Sequence, residues 1–193
     1  MNISITGLTK VYPNGHAAIK NIDLEIGSGM FGLLGPNGAG KSSFMRILVT
    51  VQKSTSGSLL IDGMDINDQR NKIRPLIGYL PQDFTFFSKL KTWEFLDYAA
   101  RLATSLSKKE RLTKVDYLLD QVGLLDVRER MANKLSGGMK RRLGIAQALI
   151  GEPKLLVIDE PTTGLDPEER IRFRNILSDL SQKDVTIILS THI

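Results

Sequence analysis

The eight residues Gly35-Pro36-Asn37-Gly38-Ala39-Gly40-Lys41-Ser42 constrain this chain more than any other segment. They fit the pattern G-x-x-x-x-G-K-[ST], in which glycines let the backbone wrap an anion and aim successive N–H groups at phosphate oxygens. Such a loop works only between a strand and a helix, whose N-terminus adds a partial positive charge. The flanks agree. Met30 to Leu34 is a short apolar run that ends in a turn cluster, and Lys41 to Val51 has helical composition. Lys41 supplies a point charge for the outer phosphates, Ser42 offers a hydroxyl to Mg²⁺, and Ser43 extends the nucleotide-binding set.

The rest of the chain supplies an α/β frame for that loop. Ile3 and Ile5, then Ile19, Ile22, Leu24 and Ile26, alternate like strands. Further strands are expected at Ser58 to Ile61, Leu76 to Leu80, Leu155 to Ile158 and Val185 to Leu189. From about Phe84 to Gly151 the strand pattern stops. Three helices are expected there, near Thr92, after Ser107 with Glu110 completing a capping box, and from Ser136 to Gly151. Another helix starts at Asp166-Pro167-Glu168-Glu169. The expected architecture is a single α/β domain over 1–193: a P-loop NTPase core, an N-terminal β subdomain and a helical insertion at about 84–151.

Composition narrows the chemistry by exclusion. There are no cysteines and only two histidines, so disulfides, thiolate metal sites and a cysteine nucleophile are excluded, and a histidine-built zinc site is not expected. No apolar run approaches the roughly 18 residues of a membrane span, and the N-terminus lacks a secretory pattern. A soluble, intracellular protein is expected. The net charge of +5 is spread along the chain, and the densest basic cluster, Lys140-Arg141-Arg142, has the composition of a solvated helix face. No aromatic residues interleave with it, so nucleic acid is not expected as a partner.

Two further segments carry chemistry. Asp159 and Glu160 end the apolar run Leu155 to Ile158, which places them at the rim of a sheet buried on both faces. Neighbouring strand residues point opposite ways, so the two acids should play different parts, with Asp159 at the Mg²⁺ and Glu160 orienting or deprotonating a water. Leu135-Ser136-Gly137-Gly138-Met139 opens the third helix of the insertion. Ser136 is a good N-cap, and Ser-Gly-Gly at a helix start is also a second anion site. Two phosphate-binding surfaces on one chain point to a site shared between two chains.

In this ordered set of motifs the chain resembles the ATP-binding subunit or domain of an ATP-binding-cassette (ABC) transporter over essentially all 193 residues. Gly35 to Ser42 matches the Walker A loop, Gln82 the Q-loop, and Leu135 to Met139 the family signature. Leu155 to Asp159 with Glu160 matches Walker B and its catalytic glutamate, Gly164-Leu165-Asp166 the D-loop, and His192 the switch histidine. Tyr12 falls where the family places an aromatic that stacks on adenine, or is an ordinary strand-end tyrosine. The resemblance implies two cassettes paired head to tail around two ATP molecules, each on the Walker loop of one chain and under the signature of the other. Ser136, Gly137 and Gly138 would then bind nucleotide in trans, Gln82 would reach Mg²⁺ and the attacking water, and His192 would contact the γ-phosphate. Asp166 would couple the sites, serve as a helix N-cap, or both. The implied protein is a transport-coupled ATPase with ATP and Mg²⁺ as cofactors. Its partners would be a second cassette and a membrane-embedded subunit, and its place the inner face of the cell membrane.

Two departures from the family pattern stand out. Met139 replaces the usual final glutamine of the signature, and Leu-Ser-Gly-Gly-Met-Lys-Arg-Arg is similar to signatures of drug- and antibiotic-exporter cassettes, which implies export. The chain also stops one residue after His192, where family members continue, so a fragment is expected. Phe84, Phe86 and Phe87 either contact the membrane partner or pack the insertion on the core. The alternative is a cassette ATPase acting on nucleic acid or ribosomes. Against it stand the single cassette and the roughly fifty residues, too few for a long coiled coil, between Gln82 and Ser136. A small-molecule P-loop kinase would need neither the signature nor the terminal histidine.

Overall fold

The structure, a computed structural model, describes residues 1–85, 89–162 and 165–191. Its strands are β1 (Ile3–Val11), β2 (Ala17–Ile26), β3 (Met30–Leu34), β4 (Ser56–Ile61), β5 (Met64–Asp65), β6 (Ile77–Leu80), β7 (Leu155–Ile158) and β8 (Thr186–Thr191). Its α-helices are α1 (Lys41–Leu48), α2 (Arg70–Ile73), α3 (Thr92–Ala103), α4 (Lys108–Gln121), α5 (Gly137–Ala148) and α6 (Pro167–Ser181). Among the described residues the strands form two sheets. One is antiparallel, ordered β2-β1-β4-β5; the other is parallel, ordered β3-β8-β7-β6.

The parallel sheet explains the continuous apolar run Leu155 to Ile158. All four residues are buried, and strand alternation divides them between two cores. Leu155 and Val157 join Phe44, Met45, Ile47 and Leu48 of α1 and Ile3, Ile5 and Leu8 of β1. Leu156 and Ile158 join α3, α4 and α5 together with Phe173 and Leu177 of α6. Helix α1 thus fills the space between the two sheets, and the helical insertion covers the opposite face of β7. Truncating either Leu155 or Leu156 to alanine removes packing worth about 2–5 kcal/mol.

The insertion is held to the sheet at Gly144, where α5 approaches β6 so closely that a Cβ would lie 2.5 Å from Leu80. Helix α4 begins as its sequence dictates: the Ser107 hydroxyl accepts from the Glu110 amide, and the Glu110 carboxylate accepts from the Ser107 amide at 2.9 Å. Strand β1 runs further than the Ile3/Ile5 alternation indicates, because its register shifts between Ile5 and Leu8. The shift moves the buried face from odd to even positions, and Leu8 is fully buried.

Candidate active site

Helix α1 starts at Gly40, whose backbone is left-handed at φ +88°. A Cβ at this position would lie 2.1 Å from the Ala18 carbonyl oxygen, so both the turn and the approach of β2 require glycine. The Lys41 ammonium folds back over the loop, donating to the Gly35 carbonyl and, at 3.0 Å, to the Pro36 carbonyl. Its charge is therefore held at the mouth of the loop by two backbone carbonyls of the loop itself.

A cleft of about 350 Å³ opens over this loop. Asn37, Gly38, Ala39, Gly40, Lys41, Ser42 and Ser43 form its floor, with Tyr12 and His16 at one side and Gln82 and Glu160 at the other. The structure therefore gathers Tyr12, the loop, Gln82 and Glu160, which are up to 148 positions apart in the chain. The Tyr12 hydroxyl hydrogen-bonds the Ser43 hydroxyl at 2.9 Å and also reaches Gln52; the Ser43 contact is the main influence that holds the phenol below its ordinary pKa, against burial. Its ring stacks against His16, with centroids 6.4 Å apart, and carries the Lys10 ammonium 5.5 Å from its centre.

His16 and Ala18 are cleft residues that sequence reasoning missed. The signal was present: Pro13-Asn14-Gly15 is a turn, and the Tyr12 amide donating to the His16 carbonyl at 2.9 Å closes it, setting the two rings side by side.

Glu160 and Asp159 diverge, but both lie beyond β7 and Glu160 is not extended, so strand alternation is not the cause. The Glu160 carboxylate accepts from Gln82 Nε2 at 3.0 Å and lines the cleft. The Asp159 carboxylate accepts from the Ser190 hydroxyl at 2.7 Å, and that same hydroxyl accepts from the Glu160 amide at 2.8 Å. Both acids are buried, and Glu160 has a left-handed backbone at φ +49°.

The Lys140-Arg141-Arg142 cluster is not a solvated face. Arg142 is 6% exposed, pairs with Glu169 at 3.1 Å and donates to the Val122 and Gly123 carbonyls. Arg141 turns inward to the carbonyls at the ends of β6 and β7. Arg142 is buried and Arg141 half-buried, because chain-end carbonyls and Glu169 satisfy their donors.

The Ser136 hydroxyl caps α5, accepting from the Met139 amide at 3.2 Å. Gly137 faces open space, the Glu169 side chain lies against Gly138, and Met139 packs on the helical core. Ser136, Gly137 and Gly138 lie apart from the cleft lining, as do Gly35, Pro36 and Asp159. Asp166 caps α6 through the Glu169 amide at 2.8 Å. Phe84 stands edge-on to Phe95, 6.0 Å between centroids, and packs on the helical core. Phe86, Phe87, Gly164 and His192 lie outside the described residues.

A phosphate loop between β3 and α1, at the carboxyl end of a parallel sheet, defines a nucleotide-binding protein of the P-loop class. Similarity to known proteins makes this specific. The ABC transporter family model matches residues 19–163, and the chain belongs to that family. It is 39% identical over 192 residues to the uncharacterized ABC transporter ATP-binding protein YxlF of Bacillus subtilis, covering 99% of this chain and 62% of that protein. It is 36% identical to the methionine import ATP-binding protein MetN of Helicobacter hepaticus, covering 98% of this chain and 56% of MetN. With the lipopolysaccharide export system ATP-binding protein LptB of Haemophilus influenzae it shares 32% identity, over 98% of this chain and 80% of LptB. The dimeric ABC transporter cassette MJ0796 superimposes with a TM-score of 0.89 at 29% identity, covering 99% of this chain and 88% of that one. A post-hydrolysis MJ0796 dimer bound to ADP and Pi gives 0.88 at 28% identity, over 98% of this chain and 87% of that one. The chain spans 62% of YxlF and 54% of the next relative, an ATP-binding protein of Synechocystis.

Proposed function

We propose that this chain binds Mg·ATP in the cleft over Gly35–Ser42, hydrolyses it, and works as one of two cassettes that drive a membrane-embedded partner in export. The observation that carries the reading is the meeting of Gln82 and Glu160 in the same cleft as the phosphate loop. The donor set fits the ligands. Loop amides and Lys41 suit phosphates, and Ser42 and Gln82 line the cleft with oxygens of the kind Mg²⁺ takes beside phosphate and water, with Asp159 just outside that lining. Bound magnesium neutralises charge on the phosphate oxygens.

The chain's own residues supply the rest. Lys41 leaves the Gly35 and Pro36 carbonyls for the outer phosphates, and Tyr12 offers its ring to the base. Glu160 takes the proton of the water that attacks the γ-phosphorus, the bond to the bridging oxygen breaks, and ADP departs. Gln82 holds the carboxylate through its amide nitrogen. Ser136, Gly137 and Gly138 meet the nucleotide of the second cassette, and His192 contacts the γ-phosphate.

The membrane partner sits on the groove lined by Phe84, Phe95, Tyr98, Leu102 and Ile150, where Tyr98 and Leu102 are 44% and 74% exposed. No helix among the described residues is long and apolar enough to cross a membrane. The Met-Lys-Arg-Arg signature ending, similar to those of exporter cassettes, supports export; among relatives, MetN is named for import and LptB for export. The test is to purify the full-length protein with its membrane subunit and reconstitute both in vesicles with the cassettes outside. ATP-driven accumulation inside supports export. Hydrolysis without a co-purifying membrane subunit, or salt-sensitive DNA binding, overturns the transport reading.

A further inference from the structure

Arg141 is the most heavily engaged side chain near the cleft, although it lines none of it. It stands on α5, five residues after Ser136. Its guanidinium donates to the carbonyls of Gln82 at 2.7 Å, Asp159 at 2.6 Å, Pro161 at 3.3 Å and Pro81 at 3.4 Å, and to the Glu160 carbonyl. These carbonyls belong to the two segments that present Gln82 and Glu160, one leaving β6 and one leaving β7. Burial lowers the guanidinium pKa, while Asp159, Glu160 and Asp83 oppose that change, so the group stays charged.

The Glu160 peptide is consequently gripped from both sides. Its N–H donates to Ser190 Oγ at 2.8 Å and its carbonyl accepts from Arg141. The residue between them adopts φ +49°, a conformation uncommon for any residue with a Cβ, which persists where surroundings over-determine it. A planar fork with five N–H donors spreads over five carbonyls in two segments, whereas a lysine ammonium offers three donors from one point and cannot serve them all.

We propose that Arg141 is a positioning residue: it clamps the Gln82 and Asp159–Pro161 backbones so that the Glu160 carboxylate meets Gln82, and it ties that geometry to the helix capped by Ser136. Because Arg141 and Ser136 share α5, displacement of the Ser-Gly-Gly helix start reaches Glu160 through one side chain. The inference rests on the reading of Glu160 as the base.

The test uses the full chain with Arg141→Met, Arg141→Lys and Arg141→Ala, read by ATP turnover, fluorescent-ATP affinity, melting temperature and amide exchange at Glu160. Misplacing a catalytic group by about 1 Å costs on the order of 10²-fold in rate. Turnover should fall by about that factor in Met and Lys variants, with nucleotide affinity within about twofold of the parent. Ethylguanidinium should restore turnover in Arg141→Ala, and the Glu160 amide should exchange faster in Arg141→Met while β7 amides do not. Parental turnover in Arg141→Met, full activity with lysine, or loss of turnover that follows melting temperature and resists rescue overturns the proposal. If the parent does not hydrolyse ATP, the proposed function fails by itself, and exchange still decides the clamp: unchanged protection at Glu160 in Arg141→Met overturns it.

Discussion

Gln82 Nε2 donates to Glu160 Oε2 at 3.0 Å, joining residues 78 positions apart across the ends of β6 and β7. The bond commits the amide nitrogen of Gln82 to the carboxylate and leaves its carbonyl oxygen as the atom suited to a cation. Parallel pairing of Ile77–Leu80 with Leu155–Ile158 makes the meeting possible, because both strands end at the same rim. The catalytic proposal rests on this pairing.

Among the described residues Lys41 donates to two carbonyls of its own loop, so Lys41→Ala removes little that holds the fold. The variant should keep the parental melting temperature within a few degrees while Mg·ATP affinity falls strongly. Equal affinities by calorimetry would count against the loop assignment.

Ser136 caps α5 and is also proposed to meet a second chain's nucleotide. Loss of a serine cap costs about 1 kcal/mol, too little to unfold a domain. A Lys41→Ala chain mixed with a Ser136→Arg chain should form heterodimers with one intact composite site, and some hydrolysis should return. Heterodimers without any recovered activity would leave Ser136 a helix cap alone.

Asp97 of α3 is 4% exposed and accepts from Arg101 and Arg111, the latter on α4. Burial raises its pKa, but the bonds from Arg111 and Arg101 outweigh burial and hold the carboxyl below its ordinary value. A lowered folded pKa means the contribution to stability is complete above the unfolded value, about 3.9, and fades as pH falls below it. Asp97→Asn leaves Arg111 buried without its counter-charge and should cost about 3 kcal/mol at pH 7. Urea unfolding should show the gap between parent and variant narrowing below about pH 4. A gap unchanged from pH 7 to pH 3 would refute the ion-pair account.

Much of this was legible in the sequence because it is local. The loop pattern, the buried strand Leu155 to Ile158 and the capping box at Ser107 each declare themselves within ten residues. What escaped is long-range. Arg141 and Arg142 read as solvated because charge runs on helices usually are. Their burial depends on carbonyls from Val122, Gly123, Gln82 and Asp159, which no local pattern links to α5. The short β5 and α2 were too brief to show a period. Ile22 and Leu24 alternate with Ile26 and lie opposite the buried Leu8 and Ile5, yet they stay 37% and 38% exposed, since β2 is the edge strand of its sheet.

Glu160→Gln separates binding from chemistry and tests the account most directly. Glutamine keeps the shape and a carbonyl acceptor but loses basicity, and general-base catalysis is worth roughly 10²- to 10⁴-fold in rate. The phosphates fall to the loop amides and Lys41, so ATP should still bind. In the full-length protein with Mg·ATP, turnover should drop by about that range, and size exclusion should show an ATP-dependent shift to double mass. Hydrolysis by Glu160→Gln at the parental rate would contradict the account and return the role of base to Asp159 or Gln82.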